Sequence, residues 1–248
     1  MIVLKTHSEL ERMKKACRIS AESLSVAEEL IRPGITTREI DRAMHDFIVR
    51  SGAKPSFLGL YGFPASACIS VNDVVIHGIP GDYHLQEGDI VSIDVGACCD
   101  GFHGDNAYTF PVGQISEENQ RLLRVTQESL YKGIEAAVIG NRIGDISFAV
   151  QSHVTPYGFG IVRQFVGHGV GKALHEDPEV PNFGKAGHGP RLVEGMTIAI
   201  EPMITLEGDA VTIDADKWTT RSKSGKAAAH FEHTIAITKD GPVILTKR

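Results

Sequence analysis

The sequence has no long hydrophobic run. None of its 248 residues belongs to a stretch of roughly 18 consecutive apolar residues, so a membrane-spanning helix is not expected. The N-terminal segment MIVLKTHSELERMKKA becomes charged within a few residues and lacks the apolar core of a secretory signal peptide. These two absences predict a cytoplasmic protein with no membrane partner.

The cysteines follow no recognised spacing, and acidic residues outnumber basic ones. The four cysteines, Cys17, Cys68, Cys98 and Cys99, show no CxxC spacing, which predicts reduced thiols and disfavours a cysteine-based zinc site. A net charge of −6 disfavours nucleic acid as a specific partner, because phosphate binding needs a basic face. The sequence contains no GxSxG elbow, no HExxH helix, no P-loop and no GxGxxG after a strand, so four common catalytic or cofactor-binding signatures are excluded.

A repeat divides the chain into two similar halves. The segment LQEGDIVSID, residues 85–94, resembles LVEGMTIAIE, residues 192–201, which lies 107 positions later. An offset of 106 relates three further pairs, namely Gly34 and Gly140, Ile40 and Ile146, and Gly52 and Gly158. Several matches at nearly one offset predict a single catalytic domain, residues 1–248, with pseudo-repeated halves of about 1–115 and 116–248.

Each half begins with two predicted helices followed by short strands. The first helices are expected at residues 8–31 and 116–137, because both segments open with serine followed by acidic residues. The second helices follow Gly34 and Gly140, with Thr36 or Thr37 as the candidate N-cap of the first and Asp145 as that of the second. Short β-branched runs bounded by glycine and proline come next. The pattern predicts an α+β fold in which pseudo-twofold-related halves form a curved antiparallel sheet backed by helices, with a ligand site between the halves.

Four carboxylates accompany the predicted strands. Asp94 and Glu201 end the two matched segments, so the repeat places them at equivalent positions across the pseudo-twofold axis. Asp105 follows Asp94 by eleven residues, and a short turn would bring both aspartates to one end of a hairpin. Glu232 begins the apolar run HTIAIT. Taken singly, Asp94 is equally compatible with a strand-end turn and Glu232 with an exposed strand start, whereas burying Glu201 without a partner would cost several kcal/mol.

Three histidines complete the set of candidate site residues. His168 lies between glycines in FVGHGVG, His77 precedes glycine in VVIHGIP, and His175 follows His168 by seven residues. A single histidine is more often a core or surface residue than a ligand, but neighbouring glycines allow close approach of a ligand. Converging carboxylates would repel one another and raise their pKa values, and a pair of divalent cations would remove that repulsion. Bridging carboxylates with one imidazole suit manganese, iron, cobalt or zinc, which predicts metal-assisted hydrolysis.

Seven motifs, in order and over nearly the whole chain, resemble those of the type I methionine aminopeptidases. They are HGIP at His77, IDVGA at Asp94, DGFHGD at Asp105, GHGVG at His168, HEDPEV at His175, IEPM at Glu201 and FEHT at Glu232. The resemblance implies the pita-bread fold and hydrolytic removal of the N-terminal methionine from peptides and nascent proteins. The segment between His175 and Glu201 has no room for the long insertion of the type II enzymes.

The resemblance also implies a role for each candidate metal ligand. Asp94 would bind one ion, and Asp105 and Glu232 would bridge two divalent ions. His168 and Glu201 would complete the coordination of the second ion. A hydroxide held between the ions would attack the carbonyl carbon after the first residue, with Glu201 as proton shuttle.

His77 and His175 are the other catalytic residues implied. They would hydrogen-bond the scissile amide or the tetrahedral intermediate, and His77 would also contact bound substrate. The free amine of the substrate would bind near the ion held by Asp94.

The resemblance places a narrow apolar pocket for the methionine side chain beside the ions. Cys68, Phe63 and Trp218 match lining positions of the family, although Trp218 is also compatible with a surface loop anchor. Leu174 stands where phenylalanine is common, and Phe57 and Leu60 replace a cysteine and a tyrosine. The lining therefore stays apolar but changes shape. Methionine remains the expected side chain, since one methylene contributes only about 1–3 kcal/mol of discrimination.

Two other functions remain open. A proline-directed aminopeptidase P or prolidase uses the same kind of metal site, but such enzymes usually carry a separate N-terminal domain. A pita-bread binding module without catalysis would have lost metal ligands, whereas all five candidates are present. The expected partners are the N-terminal methionine of peptides and nascent chains, with transient ribosome association, and the protein is expected to be a monomer.

Overall fold

Four helices form two pairs, one in each half of the chain. The structure is a computed structural model that describes residues 1–248. The helices are α1 (His7–Leu30), α2 (Thr37–Arg50), α3 (Glu117–Ala136) and α4 (Ile143–Val154). All four lie within a few residues of their predicted positions. None of them has the length and apolar character needed to cross a membrane.

Side-chain hydrogen bonds explain where the helices begin. Thr6 precedes α1 and accepts a hydrogen bond from the Glu9 N–H, while the Glu9 carboxylate accepts one from the Thr6 N–H. Thr36 makes the same reciprocal arrangement at α2, as predicted for one of its two candidate caps. Asp145 is not the cap of α4 but its third residue, where its carboxylate accepts from the Arg142 N–H at 2.7 Å. The predicted start of α1 at residue 8 is one residue late, because Thr6 and not Ser8 is the N-cap.

Fifteen short strands complete the fold, and every strand pair is antiparallel. The strands are β1 (Lys54–Pro55), β2 (Ala67–Val71), β3 (Val74–Ile76), β4 (Ile90–Cys99), β5 (Phe102–Pro111), β6 (Gly160–Ile161), β7 (Gly167–Gly169), β8 (Glu176–Val180), β9 (Thr197–Ile200), β10 (Met203–Thr205), β11 (Val211–Ile213), β12 (Thr220–Ser222), β13 (Ala228–His230), β14 (His233–Thr238) and β15 (Gly241–Ile244). The α+β class predicted from the sequence is confirmed.

The antiparallel sheet is divided into four hydrogen-bonded groups. The first half contributes β1, β4 and β2 in that order, with β5 also paired to β4. The second half contributes the five strands β15-β14-β9-β7-β8. Two three-stranded groups, β13-β10-β6 and β11-β12-β3, complete the sheet. One hydrophobic cluster lies between α1, α2 and the strands of the first half, and a second lies between α3, α4 and the strands of the second half.

Two threonines form hydrogen bonds between the halves, and their positions show that the sequence repeat is longer than the first matches indicate. The Thr234 hydroxyl accepts from the Asp105 N–H at 3.2 Å and donates to the Asp105 carbonyl at 2.7 Å. The Thr109 hydroxyl makes the same two bonds to His230, at 2.9 and 2.8 Å. Thr109 and Thr234 lie 125 positions apart, and so do Asp105 and His230. The repeat therefore continues beyond the first matched strand, with a larger offset caused by the extra residues that include β11 and β12.

The position of Asp94 differs from the prediction. β4 continues to Cys99, so Asp94 does not end a strand but lies opposite Ala107 of β5 in the middle of the hairpin. Asp105 lies opposite Gly96 in the same hairpin. Because Asp105 and Ala107 are two residues apart, Asp94 and Asp105 share one face. The two aspartates therefore meet at the centre of the hairpin and not at one end.

Candidate metal centre

Strands of both halves bring the five predicted metal ligands to one cavity. Asp94 and Asp105 come from the β4–β5 hairpin, Glu201 directly follows β9, and Glu232 directly precedes β14, the partner of β9. His168 is the central residue of β7, on the other side of β9. The cavity has a volume of about 790 Å³, and none of the four acidic residues is more than 8% exposed. Glu232 is therefore not an exposed strand-start acid.

The His168 imidazole lies among the carboxylates. Its Nε2 is 3.8 Å from Asp105 Oδ2 and 3.6 Å from Glu201 Oε1. Its Nδ1 lies 2.8 Å from the Gly169 carbonyl oxygen, an acceptor, so the proton is on Nδ1 and the Nε2 lone pair faces the carboxylates. One ligand atom each from Asp105, His168 and Glu232 lies within 4.8 Å of the other two. These three side chains are therefore close enough to share one metal ion.

Burial raises the pKa values of all four carboxyl groups, and repulsion from neighbouring carboxylates adds to the increase in Asp94, Asp105 and Glu232. Burial raises the pKa of Asp94 to about 7 and that of Glu201 to about 8. The pKa values of Asp105 and Glu232 rise well above their usual range, through burial first and then through the charges of the neighbouring carboxylates. Burial lowers the pKa of His168 to about 4, so its imidazole is neutral at pH 7 and able to bind a cation.

Three buried oxygens indicate what the site is suited to bind. Asp94 Oδ1, Asp105 Oδ1 and Glu232 Oε1 are buried and have no hydrogen-bond partner in the protein. Such atoms are uncommon in folded proteins because each one loses its bonds to water without replacement. Carboxylate oxygens together with a neutral imidazole are ligands of manganese, iron, cobalt and zinc. The donor set therefore fits divalent cations, whose charge would also offset the repulsion among the carboxylates.

The two other predicted catalytic histidines line the same cavity. The ring centroid of His175 lies 4.4 Å from that of His168, and the Tyr61 ring stacks against His175 at 6.3 Å. His77 has a left-handed backbone, with φ of 59°, and its ring lies edge-on to Phe165 at 5.2 Å. Burial lowers the pKa of His77 to about 4 and also lowers that of His175. Both imidazoles are therefore neutral at pH 7.

The residues expected to form the apolar pocket lie together at one edge of the cavity. Phe63 and Trp218 meet edge to face at 5.2 Å, so Trp218 is packed into the cavity wall and does not merely anchor a surface loop. Cys68 lies opposite Asp94 in the β2–β4 pair, which places this apolar wall directly beside the candidate metal ligands. The apolar cluster consists of Phe57, Phe63, Ala65, Cys68 and Leu174, with Leu60, Ile79 and Trp218 packed against it.

Three residues at the site were not predicted from the sequence. Tyr61 and Phe165 line the cavity, and no pattern in the sequence distinguishes them from other aromatic residues. The imidazole Nε2 of His230 lies 3.5 Å from Glu201 Oε2 and has no hydrogen-bond partner. A sequence signal for His230 did exist, because it matches Asp105 at the same offset of 125 that relates Thr109 to Thr234.

A metal-dependent hydrolase needs buried carboxylates and a neutral imidazole that can hold divalent cations beside a substrate pocket, and the cavity brings such groups together. Residues 11–239 match the model of metallopeptidase family M24, and the chain belongs to that family.

Comparison with individual proteins agrees with this assignment. The chain is 55% identical to a methionine aminopeptidase of Clostridium perfringens over 246 residues, 99% of both chains. The crystal structure of a methionine aminopeptidase from Thermotoga maritima superposes with a TM-score of 0.98 at 44% identity, with both chains fully covered. A prolidase from Pyrococcus furiosus has a TM-score of 0.82 at 27% identity, and the match spans 99% of this chain but 66% of the prolidase. The resemblance inferred from the motifs and the pita-bread fold are confirmed.

Proposed function

We propose that the protein removes the N-terminal methionine from peptides and nascent proteins by metal-dependent hydrolysis. The observation that carries the proposal is the apolar wall of Phe63, Cys68 and Trp218 beside the ligands Asp94 and Asp105. A side chain held against that wall has its backbone next to the metal centre, as cleavage after a first apolar residue requires. Full-length similarity to methionine aminopeptidases supports the choice of methionine.

The proposal includes two divalent ions, chosen among cobalt, manganese, iron and zinc. Asp94 would hold one ion, Asp105 and Glu232 would bridge both, and His168 and Glu201 would complete the second. The charge of the site supports two ions, because four ionised carboxylates are balanced by two divalent cations and only half balanced by one. When bound, the ions would polarise the scissile carbonyl and lower the pKa of the attacking water.

The side chains of the chain itself would orient the substrate and move protons. The substrate amine would lie near Asp94 and the methionine side chain against the apolar wall. The Glu201 carboxylate would take a proton from the attacking water and deliver it to the leaving amine, since it borders the same cavity. His77 and His175 would donate hydrogen bonds to the scissile amide and to the developing oxyanion. Their neutral state supports this role, because a neutral imidazole still carries one N–H donor.

The proposal treats residues 1–248 as one catalytic domain. Residues 1–115 supply Asp94 and Asp105, and residues 116–248 supply His168, Glu201 and Glu232, so neither half holds a full ligand set. Action on nascent chains in the cytoplasm, as a monomer in transient contact with the ribosome, is also part of the proposal and rests on the family resemblance.

Peptide hydrolysis tests the proposed function. The protein, supplied with manganese or cobalt, is expected to release methionine from Met-Ala-Ser and to leave Ala-Pro-Ala intact. Cleavage of Ala-Pro-Ala alone would favour a proline-directed enzyme. If metal binds and neither peptide is cleaved, the binding module without catalysis is the better interpretation. An Asp94→Asn preparation serves as the control for contaminating peptidases.

A further inference from the structure

The His230 side chain is buried and lies beside a carboxylate of the metal centre. The residue is 1% exposed and belongs to β13, where it pairs with Met203 of β10. Its Nε2 lies 3.5 Å from Glu201 Oε2, and this nitrogen makes no hydrogen bond in the structure. A buried ring nitrogen without a hydrogen-bond partner lowers stability, because it loses its bonds to water without replacement. The nearby Glu201 carboxylate is the group that could compensate for this loss.

The backbone of His230 is held as firmly as that of a candidate metal ligand. The Thr109 hydroxyl bonds both the N–H and the carbonyl of His230, as the Thr234 hydroxyl does for Asp105. The common offset of 125 makes His230 and Asp105 equivalent positions of the two halves. The repeated backbone arrangement therefore brings one side chain from each half to the metal centre, a carboxylate in one case and an imidazole in the other.

Glu201 lies between two imidazoles that face different oxygens. His168 Nε2 is 3.6 Å from Oε1, and His230 Nε2 is 3.5 Å from Oε2. The Glu201 backbone is fixed separately, because its carbonyl accepts from Asn182 Nδ2 at 3.0 Å. The last torsion of the carboxylate has a broad energy profile of its own, so contacts with neighbouring groups set its orientation.

We propose that His230 is a positioning residue, whose Nε2–H donates to Glu201 Oε2 and so directs Oε1 toward the ion that His168 would hold. The inference rests on the role proposed above for Glu201. A donor to one oxygen fixes the rotation of the carboxylate and leaves the other oxygen free to bind the ion. Groups that orient metal ligands in this way typically change metal affinity or activity by about 10–100-fold when they are removed.

Replacement of His230 by leucine and by glutamine tests the proposal. Leucine removes the donor, whereas the glutamine amide retains an N–H near the position of Nε2. His230→Leu is expected to weaken Mn²⁺ binding and to lower kcat on Met-Ala-Ser by roughly 10–100-fold each, with an unchanged number of bound ions and little change in KM. His230→Gln is expected to restore most of both losses. Calorimetric titration of the metal-free protein with Mn²⁺ gives affinity and stoichiometry independently of activity.

Three controls separate the possible outcomes. His153→Gln replaces an imidazole that is hydrogen-bonded to Glu128 away from the cavity. This variant should change neither the Mn²⁺ affinity nor kcat. Thermal unfolding of each metal-free variant checks the fold, and His230→Met serves as a second variant without a donor if the leucine variant does not fold. The Thr109 bonds go to the backbone of residue 230, so all these variants retain them.

Two results would overturn the proposal. One is that the His230→Leu variant binds Mn²⁺ with wild-type affinity and retains the wild-type kcat. The other is loss of a bound ion that glutamine does not restore, which would identify His230 as a metal ligand. Failure of the wild-type protein to release methionine would count against the proposed function alone, because the Mn²⁺ titrations test the contact between His230 and Glu201 without substrate.

Discussion

The ammonium group of Lys5 lies 2.5 Å from the carboxylate of Glu176, the residue that directly follows His175. The two side chains are 3% and 11% exposed. The backbone N–H of Lys5 also donates to the Gly195 carbonyl at 2.8 Å. The Glu176 carboxylate accepts a second hydrogen bond from the backbone N–H of Ala173 at 3.2 Å. This nearly buried ion pair therefore ties the N-terminal segment to the segment that carries a candidate catalytic histidine.

Replacement of Lys5 by methionine should destabilise the protein and lower turnover. The methionine side chain keeps the apolar stem but leaves Glu176 as a buried charge without its partner, so we expect the free energy of unfolding to fall by about 3–5 kcal/mol. Urea unfolding measures this loss. Adding Glu176→Gln to the Lys5→Met variant should recover part of the lost free energy of unfolding, since the second change removes the unpaired charge. The control is Lys14→Met, which breaks an exposed pair with Glu11 and should leave the free energy of unfolding nearly unchanged. Equal costs for the two lysines would contradict the role of burial.

Neutral replacements of the proposed metal ligands should abolish turnover without unfolding the protein. Asp94→Asn and Glu201→Gln keep the shape of each side chain and remove a charge from the metal centre. We expect kcat on Met-Ala-Ser to fall at least about 100-fold, because polarisation by a bound ion contributes several kcal/mol to transition-state stabilisation. The metal-free variants should melt no lower than the metal-free wild type at pH 8, since each change removes a charge that burial disfavours. Full activity in either variant would rule out the assigned ligand set.

Much of the candidate site could be predicted from the sequence, because its proposed ligands stand in short motifs that also define local structure. Asp94 and Glu201 end two matched apolar segments, and the structure brings both to one cavity. The position of Asp94 within β4 was misjudged because the apolar run continues through VGACC, where periodicity gives no sign of a strand end. His230 was missed because the residues that contain β11 and β12 change the offset between the halves from 107 to 125.

Contacts between distant segments could not be predicted at all. Lys5 and Glu176 are separated by 171 positions, and neither residue belongs to a repeated or spaced pattern. Tyr61 has a left-handed backbone, with φ of 50°, and its ring stacks on that of His175 from the other half of the chain. Such pairings depend on how the halves fold over one another, which local propensity and periodicity do not specify.

Removal of the His175 side chain should lower turnover more than substrate binding. Its proposed hydrogen bond strengthens as the oxyanion develops, so His175→Ala should reduce kcat by about 100-fold and leave KM nearly unchanged. Steady-state kinetics on Met-Ala-Ser separates the two constants. Tyr61→Phe is the matched control, because it keeps the ring that stacks on His175 and removes only the hydroxyl. An effect of His175→Ala confined to KM would contradict a role in the transition state.

The stability of the metal-free protein should fall as the pH rises from about 6.5 to 8. Burial raises the pKa of Asp94 from 3.8 to about 7 and that of Glu201 from 4.5 to about 8, so in this range the native protein binds more protons than the unfolded chain. The free energy of unfolding then decreases with pH. The pKa values of His77 and His168 are lowered from 6.5 to about 4, so these residues act in the opposite direction. Their contribution still rises slightly above pH 6.5 and levels off at about pH 7.5, where the imidazoles of the unfolded chain have lost their protons, whereas the carboxyl groups titrate over the whole range.

Bound metal should reverse this trend, because a cation binds the ionised carboxylates and displaces the protons that the native protein would otherwise hold. Melting temperatures measured at pH 6.5 and pH 8, with a chelator and with saturating Mn²⁺, make the comparison. We expect the melting temperature to fall with pH in chelator, and the stabilisation by Mn²⁺ to be larger at pH 8 than at pH 6.5. In Asp94→Asn the decrease in chelator should be smaller, since one of the titrating groups is gone. A melting temperature in chelator that rises between these two pH values would show that the buried carboxyl groups do not hold their protons near neutral pH.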